Sequence, residues 1–106
     1  MKNDYDRLIY FTICDVLYDE MLKTQYYSFD SFCKNLAYCI IGNGSITKDQ
    51  YKIISKLLKT ISEYYEIDKD SVGGYIREFF NKEMYLIYGK TVMVIKSNVK
   101  NYKRKN

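Results

Sequence analysis

The chain contains no histidine, no proline and no tryptophan. Without histidine it lacks the commonest general base and a principal metal ligand, which removes most acid–base and zinc designs. Without proline, helix ends have to be read from caps and glycines. The three cysteines, Cys14, Cys33 and Cys39, contain no C-x-x-C pair. An odd set in apolar surroundings reads as reduced core thiols of a cytoplasmic protein. No apolar run approaches the length needed to span a membrane, so no membrane partner is expected. The opening M-K-N-D-Y-D-R is too charged for a signal peptide. Acid is missing from the whole segment after Glu83.

What is present fits one small domain. The chain has 106 residues, of which 47% are apolar, enough for a single core. Thirteen tyrosines can thicken that core or line a contact surface. Charge is unevenly placed. Residues 1–83 carry eleven Lys+Arg against thirteen Asp+Glu, a net of −2. Residues 84–106 carry six basic residues and no acid, so the net +4 of the chain belongs to its end. Such a tail suits phosphate contact, or is a solvated terminus.

Hydrophobic spacing predicts four helices. The first spans Asp4 to Lys23, with Asn3 or Asp4 as cap and an inner stripe of Tyr5, Leu8, Ile9, Thr12, Ile13, Val16, Leu17 and Met21. Asp6, Asp15, Asp19 and Glu20 form an acidic outer face that would turn away from nucleic acid. The second runs from Phe29 to Ile41 and stops at G-N-G-S, where Gly42 offers a left-handed cap and Gly44 a tight turn. The third begins at T-K-D-Q, a capping box of Thr47 and Gln50, and ends near Tyr65. Its expected buried face is Tyr51, Ile54, Leu57, Leu58 and Ile61. The fourth runs from Lys69 to Met84, capped by Asp68 or Asp70, and carries Gly73 and Gly74 in its interior. Leu36, Ile40, Ile54, Leu58, Ile61, Val72, Ile76 and Phe79 are the expected core.

The stretch I-S-E-Y-Y-E-I-D-K-D-S-V-G-G-Y-I-R, Ile61 to Arg77, reads as a helix-turn-helix. Ser62 supplies the small residue at a helix crossing, Ile67 an apolar plug in the turn, and Val72, Tyr75, Ile76 and Phe79 the second helix's inner face. A tight helical hairpin is the bland reading. Beyond Met84, M-Y-L-I-Y, G-K and T-V-M-V-I read as a short wing-like β-hairpin about a Gly89-Lys90 turn. The rival reading extends the fourth helix through Ile87. Residues 1–96 are thus expected to form a mainly α, four-helix domain, and residues 97–106 a flexible basic tail.

Between Phe29 and Val99, about two-thirds of the chain, these motifs are matched in a known family. Leu57, Ile61, Ser62 and Tyr65 fit its first motif helix in type, and Val72, Ile76 and Arg77 its recognition helix. Gly89 to Val92, G-K-T-V, fits a later Gly-Tyr-Thr-Val. On these residues the chain resembles the C-terminal DNA-binding domain of stage-zero sporulation protein A, a response regulator of spore-forming bacteria. The resemblance implies a helix-turn-helix regulator of transcription. Where the family places its first two recognition arginines, this chain has Ser71 and Gly74, and only Arg77 remains. The family's receiver domain has no counterpart, so no phosphorylation switch is implied.

Two functions follow as expectations. One is a small, stand-alone, bacterial or phage regulator that binds double-stranded DNA as a monomer or weak dimer. Arg77 would reach a base edge. Lys69 and Lys82 would touch phosphate, while Ser71, Gly73 and Gly74 would line the contact. Lys90, Lys96, Lys100, Lys103 and Arg104 would add sequence-independent affinity. The other is a protein-binding inhibitor or antagonist, of phage or mobile-element type, on the same scaffold. The depleted arginines, the acidic first helix and the many tyrosines suit that reading, while Asp68, Asp70 and Glu78 on or near the second motif helix oppose phosphate. No nucleophile motif points to an enzyme, and carboxylates a turn apart such as Asp15 and Asp19 are ordinary on helix surfaces. Neither a cofactor nor a metal is implied.

Overall fold

The structure, a computed structural model, describes residues 3–26, 28–42 and 45–104, with side chains in the last helix described through Lys96. It is all-helical among the described residues: α1 (Asp4–Met21), α2 (Phe29–Ile40), α3 (Lys48–Tyr65), α4 (Lys69–Asn81) and α5 (Tyr85–Arg104). Each of the first four starts at a side-chain cap. Asn3 Oδ1 accepts from the Asp6 N–H at 2.8 Å, and Ser28 Oγ from the Ser31 N–H at 3.1 Å. Thr47 and Gln50 close the capping box reciprocally at 3.1 and 2.8 Å, and Asp68 Oδ2 accepts from the Ser71 N–H at 3.0 Å. These bonds satisfy amides that the first turn leaves without partners.

Helix α1 is the hub and packs against all four others. Ile9, Tyr10, Ile13, Cys14 and Leu17 are fully buried, joined by Phe29, Cys33 and Leu36 of α2, Leu57 and Ile61 of α3, and Val72, Ile76, Phe79 and Phe80 of α4. The predicted core is correct at Leu36, Ile61, Val72, Ile76 and Phe79. It is displaced on α3, where Leu57 is fully buried while Ile54 and Leu58 are half-buried and Tyr51 is exposed. Ile40 is half-buried at the rim. On α1 the buried stripe is turned toward Tyr10 and Cys14, leaving Tyr5 and Leu8 exposed.

The C-terminal hairpin is not formed. In its place the chain turns at Lys82–Met84 and continues as a fifth helix. Helix α4 therefore ends at Asn81, short of the expected Met84. The Glu83 N–H bonds the Phe80 carbonyl and the Met84 N–H bonds the Phe79 carbonyl, with Glu83 left-handed at φ 51°. That is a Schellman closure built on a glutamate where a glycine would ordinarily mark it. Helix α3 also ends on a left-handed glutamate, Glu66 at φ 54°, with the Glu66 and Ile67 N–H groups both on the Ser62 carbonyl.

Gly89, expected at a turn tip, is a packing glycine inside α5. A Cβ there would lie 2.8 Å from the Phe29 ring and 4.0 Å from Cys14 Sγ. Lacking one, α5 lies close against α1 and α2. Gly42 is not a left-handed cap, since no described glycine has positive φ. The residue after Tyr38's turn has no room for a side chain, because a Cβ would come within 2.6 Å of the Tyr38 carbonyl. Gly44 lies outside the described residues. From Ser97 the backbone stays helical to Arg104 where a flexible tail was expected; the last two residues lie outside the described ones.

All three cysteines are free thiols. Burial pushes Cys14 up to about 12, with the charge of Asp15 adding to it, and burial likewise pushes Cys33 up. Cys39 is half-buried and its Sγ lies 3.2 Å from Gln50 Oε1. Thiolate is the reactive form, so Cys39 should alkylate first at pH 8. Cys14 and Cys33 should react only at the rate of global unfolding. Peptide-resolved mass spectrometry of iodoacetamide-treated protein checks this, and equal rates at all three sites contradict it.

Candidate nucleic-acid interface

Helices α3 and α4, joined by Glu66, Ile67 and Asp68, form the expected bihelical unit. Ser62 Oγ donates to the Ile67 carbonyl at 2.6 Å, which ties the turn to the end of α3, and Ile67 is half-buried beneath it. Val72, Ile76, Phe79 and Phe80 anchor the inner side of α4. Two tyrosine–carboxylate bonds fix its orientation on α1. Tyr10 OH donates to Glu78 Oε2 at 2.7 Å, and Tyr75 OH donates to Asp6 Oδ1 at 2.7 Å. The Asp6 carboxylate, with some burial, pushes the Tyr75 phenol up to about 12, so that bond persists across the neutral range. Sequence reasoning missed both bonds. It placed Asp6 and Glu78 on open acidic surfaces, whereas each accepts a hydrogen bond from a tyrosine.

The outward side of α4 carries Lys69, Asp70, Ser71, Gly74 and Arg77, all exposed, with Gly73 half-buried beside them. Ser71 serves the cap, its Oγ donating to Asp68 Oδ1 at 2.7 Å. Those bonds hold the Asp68 carboxyl below the usual range. A Cβ added at Gly73 or Gly74 would meet no atom within 4 Å. No neighbour within the described chain requires these glycines, so at Gly74, and partly at Gly73, α4 presents bare backbone to solvent. Arg77 stands one turn along from them and, among the described residues, makes no salt bridge.

The remaining expected contacts are dispersed. Lys82 lies one turn on from Glu78 and pairs with it at 2.9 Å. Lys90 is exposed on α5. Lys96 is held by α1: its Nζ lies 2.8 Å from Asp15 and 2.6 Å from Asp19, over the Tyr18 ring. Partial burial opposes its charge, but the two carboxylates outweigh that and raise its pKa, so it stays cationic and internally paired. The acidic face of α1 is thus an outer face only in part: Lys96 of α5 lies on Asp15 and Asp19, which stay about half exposed, and Asp6 and Glu20 are half-buried. Glu20 is likewise shared by Lys23 at 2.8 Å and Lys56 at 2.9 Å. Burial would raise its pKa, yet the two lysines hold it below the usual carboxylate range. Lys100, Lys103 and Arg104 belong to the last turns of α5, where only the backbone is described. Comparison of the chain with protein-family profiles, curated proteins and solved structures finds no match.

Proposed function

We propose that the chain is a small DNA-binding regulator of the sporulation-regulator effector-domain type, with α4 as the helix that lies against the duplex. The observation that carries this reading is the side-chain-free backbone at Gly73 and the exposed Gly74, beside an exposed Arg77 that makes no salt bridge among the described residues. Each interior glycine costs about 1 kcal/mol against alanine in a helix. Nothing among the described residues explains that cost, and close approach of a phosphate backbone would. With one arginine on α4, base readout is limited to a single strong contact, so specificity is low and affinity is mostly electrostatic.

The protein-antagonist reading has one observation in its favour. From Asp68 to Lys82, three acids balance three bases, a neutral face rather than a basic one. Titration onto random duplex DNA at two salt concentrations separates the two readings. Salt-dependent binding supports the first, and its absence at low ionic strength transfers the case to the second.

The glycine pair offers a sharper test. Gly73 and Gly74 have right-handed backbones and open space. Gly73→Ala and Gly74→Ala should each stabilise the fold by about 0.4–1 kcal/mol. Both should weaken DNA binding, because a methyl group now stands where the backbone approached. Denaturation and fluorescence anisotropy read the two effects, and unchanged binding removes the glycine pair from the interface.

A further inference from the structure

Helix α3 carries a row of charge that its own fold does not use. Lys48, Lys52, Lys56 and Lys59 follow one another at four, four and three residues. At 3.6 residues per turn, Lys48, Lys52 and Lys59 fall within about 40° of arc, and Lys56 stands about 40° further round. That face lies opposite the buried Leu57 and Ile61. Lys48, Lys52 and Lys59 are exposed and, among the described residues, make no salt bridge. Lys56 is the exception, with its Nζ 2.9 Å from Glu20 Oε2. Two features set the row against the helix that bears it. Like charges one turn apart repel, and Lys48–Lys52, Lys52–Lys56 and Lys56–Lys59 are three such pairs. Cations also favour the C-terminal end of a helix, where the carbonyl dipoles point. Here the lysines begin at the first residue of α3, and its last turn has no base. An anion from outside the chain offsets both costs.

We propose that, given the DNA-binding reading of α4 on which this rests, the α3 lysine row is a second contact surface that holds the phosphate backbone of a duplex without regard to base sequence. Charge favours it. From Lys48 to Thr60 there are four lysines and one acid, Asp49, a net of +3. From Asp68 to Lys82 the net is zero, so α4 does not supply the attraction that α3 does. Glu63 and Glu66 close the row at its C-terminal end. Length fits as well. The eleven residues from Lys48 to Lys59 span about 16 Å at about 1.5 Å each. A duplex presents one negative charge per about 1.7 Å of its axis, so every ammonium group of the row has a phosphate within reach. A protein partner is disfavoured, because lysine is depleted at protein interfaces and no apolar residue falls on that arc to act as an anchor. A bilayer surface is disfavoured on the same ground, since nothing on the arc can enter the acyl layer.

The test is fluorescence anisotropy of the full chain on random-sequence duplex DNA across a salt series. Lys48→Gln, Lys52→Gln and Lys59→Gln combined should flatten the slope of log K against log salt by about 2.7, at about 0.9 per phosphate contact, and weaken every duplex alike. All three positions are exposed and glutamine is a good helix former, so circular dichroism should show the variant folded. Lys34→Gln is the control. Lys34 is exposed on α2, makes no salt bridge among the described residues and lies off the row, so its replacement should leave the slope unchanged. A salt-dependent parent whose triple variant keeps the same slope overturns the proposal and leaves the reading of α4 standing. Flattening at Lys34 equal to that per lysine of the row also overturns it, since overall charge then explains the effect. A parent with no salt-dependent binding overturns the DNA-binding reading itself, and the lysine row with it.

Discussion

Leu57→Ala should lower the free energy of unfolding by about 2–5 kcal/mol, whereas Leu58→Ala next to it should cost less than about 2 kcal/mol. Leu57 is fully buried with Ile61 where α3 meets α1 and α4, and truncating it leaves a cavity that packed neighbours cannot close. Leu58 is half-buried at the edge of the same cluster, where water and mobile side chains can fill the space. Urea denaturation of both variants reads the difference directly. Equal losses, or a larger one at Leu58, mean that α3 is rotated about its axis from the position described.

That one-residue displacement shows where reading the sequence stops. Helix α3 offers an apolar arc wide enough to include Tyr51, Ile54, Leu57, Leu58 and Ile61, and periodicity does not say which part of it faces inward. The neighbours decide, and they are distant in sequence. The same holds for α1. A stripe through Tyr5 and Leu8 satisfies helical spacing, but the helices packed around α1 bury Tyr10 and Cys14 and leave Tyr5 and Leu8 exposed. By contrast, the caps of α1, α3 and α4 were legible because a short polar side chain three residues before a backbone amide is a local signal, although Ser28, which caps α2, was not singled out.

Helix ends and the C-terminal element were harder for a definite reason. Glu66 and Glu83 occupy left-handed positions that glycine or asparagine would have advertised. With Glu83 silent, the end of α4 could not be placed. With Gly89 flanked by apolar, β-branched residues, T-V-M-V-I reads as strand as readily as helix. The glycine is there because Phe29, sixty residues earlier in the chain, occupies the space of its side chain. In the candidate site, the exposed residues of α4 were legible. The fate of the lysines was not, since Lys96 and its carboxylate partner Asp19 are 77 positions apart.

The electrostatic part of the DNA proposal separates three groups of basic residues by their effect on the salt slope. Replacing Lys100, Lys103, Arg104 and Lys105 by glutamine, itself a good helix former, removes four cations. If all four contact phosphate, the slope of log K against log salt should flatten by about 3.6, at about 0.9 per contact, and every duplex should be weakened alike. Lys96→Gln should leave the slope where it was, because that ammonium is already engaged by Asp15 and Asp19 and reaches no phosphate. Arg77→Ala should act differently from both. It removes the one unpaired guanidinium on the outward side of α4, so it should reduce discrimination between duplexes by about 1–3 kcal/mol, roughly 5- to 150-fold. Ser71 and Gly74 provide no second arginine to compensate. Anisotropy titrations on a panel of duplexes at two salt concentrations give all three results. A slope insensitive to the tail, together with an Arg77→Ala variant that binds every duplex as the parent does, removes α4 and the tail from any DNA contact and leaves the neutral α4 face to a protein partner.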